Sequence, residues 1–319
     1  MDDPLVIVPR DVRNLLYKAA GAGILLLNKF RHAVAGYTTP RTFPSSDFDR
    51  AAAYDIQVVD RWLRRATQYL GADYSLHGKT VLELGPGADL GTGLYLFYRG
   101  AGRYHALDAN PLASNVQLEF YEHLIRKMKG LGVPGCMSDA ELFVVAAAMR
   151  TGQGERLNYA CRPDFSFSAF AAESADLILS QAAFEHFSDI EKAIGEMSTV
   201  AKPGALLVAE VDLSTHSRWI RDRDPLNIYR YGDGYYGLCR FRGSPNRIRP
   251  RRYVELLVRN GWQNVRAIPT RVLEREYVAR VESSLNGAFR GPENEMACLS
   301  TVLCATRPAS ARSISNAHP

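Results

Sequence analysis

The residues best suited to chemistry in this chain are carboxylates, glycines and histidines that stand where apolar runs stop. Glu83 sits near the end of T-V-L-E-L, and Gly85 and Gly87 follow in a turn before Leu94–Tyr98, a segment able to resume as helix. Glycine lets a turn adopt backbone angles closed to other residues and approach a ligand with no side chain between. A turn between a buried strand and a helix N-terminus is where α/β sheets hold nucleotide-like ligands. An acid there repels a phosphate and favours a cation. Asp108 ends the next apolar run, 25 residues after Glu83, in position to accept hydrogen bonds from two ribose hydroxyls. Glu185 and His186 follow a later run, and Asp212 and His216 the one after that. Histidine titrates near neutrality and can take the proton of a hydroxyl.

These strand ends need a scaffold, and the alternation of apolar runs supplies one. Strands are expected at 80–84, 104–108, 156–160, 175–180 and 205–212, and helices at 51–70, 94–98, 111–129, 138–149 and 190–200. That alternation implies βαβ units and a mostly parallel sheet. The final third changes character, with helix at 251–260 and 274–285 and extended chain at 262–268 and 297–306, the last two suiting an antiparallel edge. Residues 1–50 read as an N-terminal helix and linker, 51–307 as one domain with an insertion at about 213–250, and 308–319 as a disordered tail.

Composition narrows the class. Of 319 residues 46% are hydrophobic, enough to bury a core, and the net charge of +5 is too mild to argue for nucleic acid. The five cysteines are odd in number with no metal-ligand spacing, so reduced thiols in a cytoplasmic protein are expected and no metal is assigned. The start Met-Asp-Asp-Pro is acidic where a secretory signal is basic. The most apolar window, 19–27, is about half the ~20 residues a membrane-spanning helix needs.

On a helical wheel at ~100° per residue, residues 10–32 divide into two arcs. Arg10, Asp11, Arg13, Asn14, Lys18, Asn28, Lys29, Arg31 and His32 share one; Val12, Leu15, Leu16, Ala19, Leu26, Leu27 and Phe30 fill the other. Two readings are open: a helix docked on the domain, or a basic amphipathic helix on an anionic surface at the inner face of a membrane.

The glycine turn, Asp108, the segment E-S-A-D-L-I-L-S-Q-A-A-F-E-H-F-S-D-I and the segment K-P-G-A-L-L-V-A-E-V-D resemble, in residues and order, the class I S-adenosylmethionine-dependent methyltransferases. The resemblance runs from about residue 78 to 212 and implies a Rossmann-like, seven-stranded sheet and S-adenosylmethionine as cofactor. It implies that Gly85 and Gly87 pack on the methionine part, with Glu83 supporting the turn, and that Asp108 binds the ribose. Asp164 would meet the adenine amino group beside Phe165, and Ser180 and Gln181 would line the methyl-donor end. The pattern departs at Asp89, where a third glycine is common. A glycine pattern alone also passes for NADP binding, so an oxidoreductase is the rival enzyme; a membrane- or nucleic-acid-binding protein on a retired fold is the rival without activity.

Methyl transfer from a sulfonium needs alignment and exclusion of water, and a hydroxyl acceptor also needs its proton removed. Glu185, His186, Asp212 and His216 are the candidates for that task. Residues 218–252 are rich in Arg and aromatics, a lid whose rings suit sugars and whose guanidinium groups suit phosphate or carboxylate. V-D-L-S-T-H followed by P-N-R-I-R-P-R-R-Y resembles a branch associated with polysaccharide and glycan biosynthesis. That resemblance implies O-methylation of a sugar, glycan or related metabolite, on an anionic or lipid-linked carrier, with Asn246, Arg247, Tyr235 and Tyr236 as acceptor contacts.

Overall fold

Buried parallel strands are apolar on both faces, which is why they stood out as continuous runs. The computed structural model describes residues 3–9, 13–36 and 43–309. The readings made for residues 1–2, for 10–12 of the amphipathic segment, for 37–42 of the linker and for 310–319 of the tail fall outside the described residues.

In chain order the elements are β1 (Leu5–Ile7), α1 (Asn14–Ala35), α2 (Phe48–Leu70), β2 (Thr80–Leu84), α3 (Gly91–Tyr98), β3 (Arg103–Asp108), α4 (Leu118–Lys129), α5 (Asp139–Thr151) and β4 (Gln153–Gly154). There follow β5 (Leu157–Cys161), β6 (Ala175–Gln181), α6 (Ile190–Val200), β7 (Ala201–Asp212), α7 (Asp233–Cys239), α8 (Pro250–Arg259), β8 (Gln263–Leu273), α9 (Arg275–Val281) and β9 (Cys298–Thr306). The strands form one sheet in the order β1-β8-β9-β7-β6-β2-β3-β5-β4. It is mostly parallel; β9 runs antiparallel to β7 and β8, and β4 antiparallel to β5. The expected seven strands are thus nine. The two additions, β1 and β4, are edge strands of three and two residues, too short to leave a pattern. The expected helix at 111–129 also breaks, into a 3-10 turn at Leu112–Asn115 and α4. Ser114 and Asn115 are residues whose side chains compete for the backbone, which weakens a helix there.

Period-two alternation sends neighbouring strand residues to opposite layers. Val81, Tyr104, Leu177, Leu179 and Val208 pack under α2, α3, α4 and α5. Leu82, Leu107, Ile178, Leu207 and Ala209 pack under α6 and α8 with Trp262. Trp262 is 2% exposed and donates from its indole to Ser198 Oγ at 2.8 Å, so its one polar atom is satisfied. A third core, built on Leu226, Tyr229, Tyr236, Tyr277 and Leu285, lies under the lid. At its centre the Arg230 guanidinium grips Asp224 at 2.7 and 3.0 Å, with Tyr277 and Asn227 donating to the same carboxylate at 3.1 and 2.8 Å.

Helix α1 docks on this lid, but with its polar and small face. Asn227 donates to the Tyr17 carbonyl at 2.8 Å, Tyr231 to that of Lys18 at 2.7 Å and Tyr235 to that of Ala22 at 2.9 Å. Gly21 permits the approach, because a Cβ there would collide with Asn227 and the Tyr231 hydroxyl. The apolar arc faces outward: Leu15 is 84% exposed, and Leu16, Leu26, Leu27, Phe30 and Val34 are exposed with it. The lid's donors seek carbonyl oxygens, and the small residues of the opposite face give access to them.

Candidate functional site

The strand ends β2, β3, β6 and β7 come together along one edge of the sheet, where open α/β sheets have their crevice. Gly85 and Gly87 turn the chain at φ +73° and +83°, conformations that a side chain would strain. Gly85 also faces Ala183, whose methyl would meet any Cβ placed there. Ala182 itself is held at φ +53°, and its N–H donates to the Glu210 carbonyl at 2.8 Å. A left-handed alanine beside the glycine turn is the kind of strain that functional sites store.

Glu83 is buried and faces inward. Its Oε2 accepts from Thr92 at 2.5 Å and from Tyr104 at 2.6 Å, tying β2 to α3 and β3. Burial pushes its carboxyl up to about 7, partly offset by those two hydrogen bonds. The acid supports the turn as a brace, and its charge is spent on protein donors in place of a cation in the crevice.

Asp89, the departure from the glycine pattern, caps the helix start: its Oδ1 accepts from the Gly91 N–H at 2.7 Å. Burial pushes Asp89 up to about 6, and burial together with Asp89 pushes Asp55 of α2 well above the usual carboxylate range. Sequence reading missed Asp55. Its signal was an acid on the otherwise apolar face made by Ala52, Ile56 and Val59.

Asp108 stands at the tip of β3. Its Oδ2 accepts from the Gly87 N–H and its Oδ1 from the Asn110 N–H, both at 3.2 Å, so turn and acid are in direct contact. Burial raises its carboxyl to about 6 despite these donors. Of the pair at the tip of β6, Ser180 is fully buried and donates to the Leu84 carbonyl at 3.1 Å, which ties it to β2. Gln181 Oε1 is buried without a hydrogen-bond partner among the described residues. Asp164 is exposed and turned toward Lys192 at 3.3 Å, with the Ser166 N–H and then Lys192 holding its carboxyl low. Phe165 packs on Phe187, ring centroids 4.1 Å apart.

Beyond β6 and β7 lies a cluster of three side chains. Glu185 and His186 come from the 3-10 turn Phe184–His186, and His216 from the loop after Asp212. One ligand-competent atom from each falls within 4.8 Å of the other two, a set able to hold a metal. His216 Nε2 is 3.7 Å from Glu185 Oε1, and the two imidazoles meet edge to face with centroids 4.9 Å apart. Burial lowers His186. Burial also acts to lower His216, but the hydrogen bond and charge of Glu185 outweigh it and raise that ring. Asp212 is beside them: its Oδ1 accepts from Ser214 N and Oγ at 2.9 and 2.6 Å, and its N–H donates to Glu185 Oε1 at 3.2 Å.

The four expected acceptor contacts each make hydrogen bonds within the protein. Asn246 Nδ2 donates to the carbonyls of Phe184 and Phe187 at 2.9 and 3.3 Å. Arg247 donates to the carbonyls of Ile228 and Tyr231 and to Asp233. Tyr236 donates to the Pro245 carbonyl, and Tyr235 to that of Ala22. Open polar surface lies instead in a cavity of about 450 Å³ bounded by Lys29 and His32 of α1, Asn110 beyond β3, and Arg240, Phe241 and Arg242 of the lid. His32 stacks on Phe241 there, with ring centroids 3.9 Å apart.

Residues 137–209, from just before α5 into β7, match the family model described as methyltransferase domain. No curated protein matches the chain. Among solved structures, the complex of the Haloferax volcanii Trm112 methyltransferase activator and the putative methyltransferase is 16% identical over 83% of this chain and 98% of that one, TM-score 0.42. The CurJ carbon methyltransferase is 15% identical over 92% and 68%, TM-score 0.46. Haemonchus contortus phosphoethanolamine N-methyltransferase 2, with phosphomonomethylethanolamine and S-adenosylhomocysteine, is 12% identical over 80% and 53%, TM-score 0.41. Likenesses at these scores carry no argument about substrate. The chain has an α/β fold built on one mostly parallel sheet, and residues 137–209 carry the signature of a methyltransferase domain. The glycine turn and Asp108 lie N-terminal to the matched segment, so their roles rest on geometry.

Proposed function

We propose that the chain is an S-adenosylmethionine-dependent methyltransferase, that it methylates an oxygen, the hydroxyl of a sugar, glycan or related metabolite, and that the cluster of Glu185, His186 and His216, with Asp212 beside it, activates that hydroxyl. The observation that carries this reading is the convergence of a carboxylate and two imidazoles on the strand-end side of the sheet. The cofactor would lie across Gly85 and Gly87, with its ribose on Asp108 and its methyl end toward Gln181. A carboxylate at the tip of β3 repels a 2′-phosphate, which argues against NADP.

The cavity bounded by Lys29, His32, Arg240 and Arg242 supports an acceptor with an anionic group, because guanidinium and ammonium groups facing one space attract phosphate or carboxylate. Asn110 joins that cavity to the proposed ribose site. The outward apolar face of α1, edged by Lys18 and Arg31, supports contact with an anionic membrane surface and hence a lipid-linked acceptor. Among the described residues no helix is long and apolar enough to cross a membrane.

The test is mass spectrometry of candidate hydroxylated acceptors incubated with enzyme and labelled methyl donor, for wild type and for His186→Ala and His216→Ala. Label on a hydroxyl, with turnover lost in both variants and S-adenosylhomocysteine binding kept, is the expected result. Label on carbon or nitrogen, or wild-type rates in both variants, would end this reading.

A further inference from the structure

We infer that Glu185, His186 and His216 form a binding site for a divalent transition-metal cation of the zinc class. This inference deepens the methyl-transfer reading; it rests on that reading for the cation's task, and on the side chains alone for the site.

Each imidazole has one nitrogen committed to a backbone carbonyl. His186 Nδ1 meets the Gly243 oxygen at 2.6 Å, and His216 Nδ1 meets the Ser214 oxygen at 2.9 Å. A carbonyl oxygen only accepts, so both Nδ1 atoms carry the proton and both neutral rings direct an Nε2 lone pair away from that anchor. An imidazole fixed in this way by its second nitrogen is the usual arrangement of a metal-bound histidine. The third member, Glu185, is 2% exposed; its Oε1 accepts from the Asp212 N–H, and its Oε2 has no hydrogen-bond partner among the described residues.

Two imidazoles and a carboxylate therefore converge, in a place where an unmet buried charge is costly. A proton on His216 answers Glu185 Oε1 but leaves Glu185 Oε2 unmet. The single hydroxyl proton of an acceptor answers only one atom. A cation answers all three. Two imidazoles and one carboxylate are the donor set of open zinc and related sites, which keep a coordination position for substrate. Ligands about 2.1 Å from a shared tetrahedral cation stand about 3.4 Å apart, and here they lie within 4.8 Å. Closing the site takes roughly an ångström of side-chain movement.

The supporting frame is already rigid. The Asn246 N–H donates to the Glu185 carbonyl at 2.6 Å, while its side chain holds Phe184 and Phe187. On the other side, the Leu213 N–H donates to the Leu299 carbonyl at 2.8 Å and fixes the start of the His216 loop. Asn246 is thus a positioning residue beneath the site. With a cation in place, the acceptor hydroxyl binds to it and loses its proton to water at a lowered pKa. The oxygen then forms a bond to the methyl carbon as the carbon–sulfur bond breaks, and that electron pair stays on sulfur, leaving a neutral thioether.

The experiment uses the full chain, stripped with chelator and dialysed against zinc, with bound metal counted by inductively coupled plasma mass spectrometry. Cobalt(II) in place of zinc reads the ligand field by visible absorption. One cation per chain is expected, with affinity falling by more than about a hundredfold in His186→Ala, His216→Ala and Glu185→Gln, beyond the usual 10- to 100-fold effect of an outer partner. Calorimetry with S-adenosylhomocysteine runs in parallel. A wild-type chain that binds the cofactor product but retains no cation overturns the metal site and leaves the methyl-transfer reading standing. Unchanged affinity in all three variants overturns it as well. Cation binding without cofactor-product binding upholds the site and removes that reading.

Discussion

Lowering the pH from 7 to 5 should protonate Asp108 and weaken the cofactor, and the size of the effect follows from the site. Burial puts this carboxyl at about 6 in the free protein, against the pull of the backbone donors at Asn110, Gly87 and Ala109. Glu83, Tyr159 and Cys161 are the titratable groups that interact with it. Two ribose hydroxyls need an ionised acceptor. With a pKa near 6, the ionised fraction falls from about nine-tenths at pH 7 to about one-tenth at pH 5, so affinity should drop about tenfold, or about 1.4 kcal/mol. Asp108→Asn keeps the shape but loses the charge. Hydrogen bonds to charged groups are worth about 1.5–3 kcal/mol each, so losing two of them should make the variant bind at least about 100-fold more weakly at pH 7. Glu83 and Asp89 titrate in the same range and affect both proteins, so the ratio of the two dissociation constants is the quantity to follow. Calorimetry with S-adenosylhomocysteine at pH 5, 6, 7 and 8 should show that ratio shrinking about tenfold from pH 7 to pH 5. A ratio that stays constant would refute the placement of the ribose on Asp108.

Glu83 makes a stability prediction. Its folded value of about 7 lies above its ordinary 4.5, so its contribution is fully present below pH 4.5 and is lost as pH rises through 7. In urea titrations the stability of Glu83→Gln relative to wild type should therefore rise by up to about 3 kcal/mol between pH 4.5 and 8, and no change would contradict the brace. Asp224→Ala leaves the wholly buried Arg230 guanidinium without its carboxylate, so a loss of about 3–5 kcal/mol is expected by chemical denaturation. Gly21→Val should force α1 off the lid, visible as faster proteolysis ahead of residue 36, because Asn227 and Tyr231 occupy the space the side chain needs. Leu26→Glu with Phe30→Glu should leave thermal stability within about 0.5 kcal/mol, both positions being exposed. The same pair should abolish flotation with anionic vesicles, and unchanged flotation would remove the membrane contact.

The strand ends were legible because a strand buried on both faces reads as an apolar run, and the first polar residue after it marks the sheet edge. Glu83 and Asp108 fall where that logic put them, and β2 and α6 keep their expected bounds. What the pattern does not carry is the partner of each polar group. Asn246 and Arg247 look like acceptor contacts in a loop rich in cations. Their donors are taken by the carbonyls of Phe184, Phe187, Ile228 and Tyr231, left open by irregular backbone. Which carbonyls stand open is a property of the folded turns and has no trace in local composition. The wheel of α1 likewise marked two faces correctly without indicating which one the lid's donors would reach.

The same limit explains why the cluster at residues 185, 186 and 216 changed meaning on folding. As sequence, each histidine was a separate candidate base, and the carboxylates were scattered. In the fold, the Gly243 and Ser214 carbonyls fix both tautomers, and the Asp212 N–H occupies one oxygen of Glu185. Those three bonds, made by Gly243 and by the segment from Asp212 to Ser214, hold the two rings and the carboxylate around one centre. A base needs one free lone pair. A convergence of three, held from outside, is better matched to a cation than to a proton.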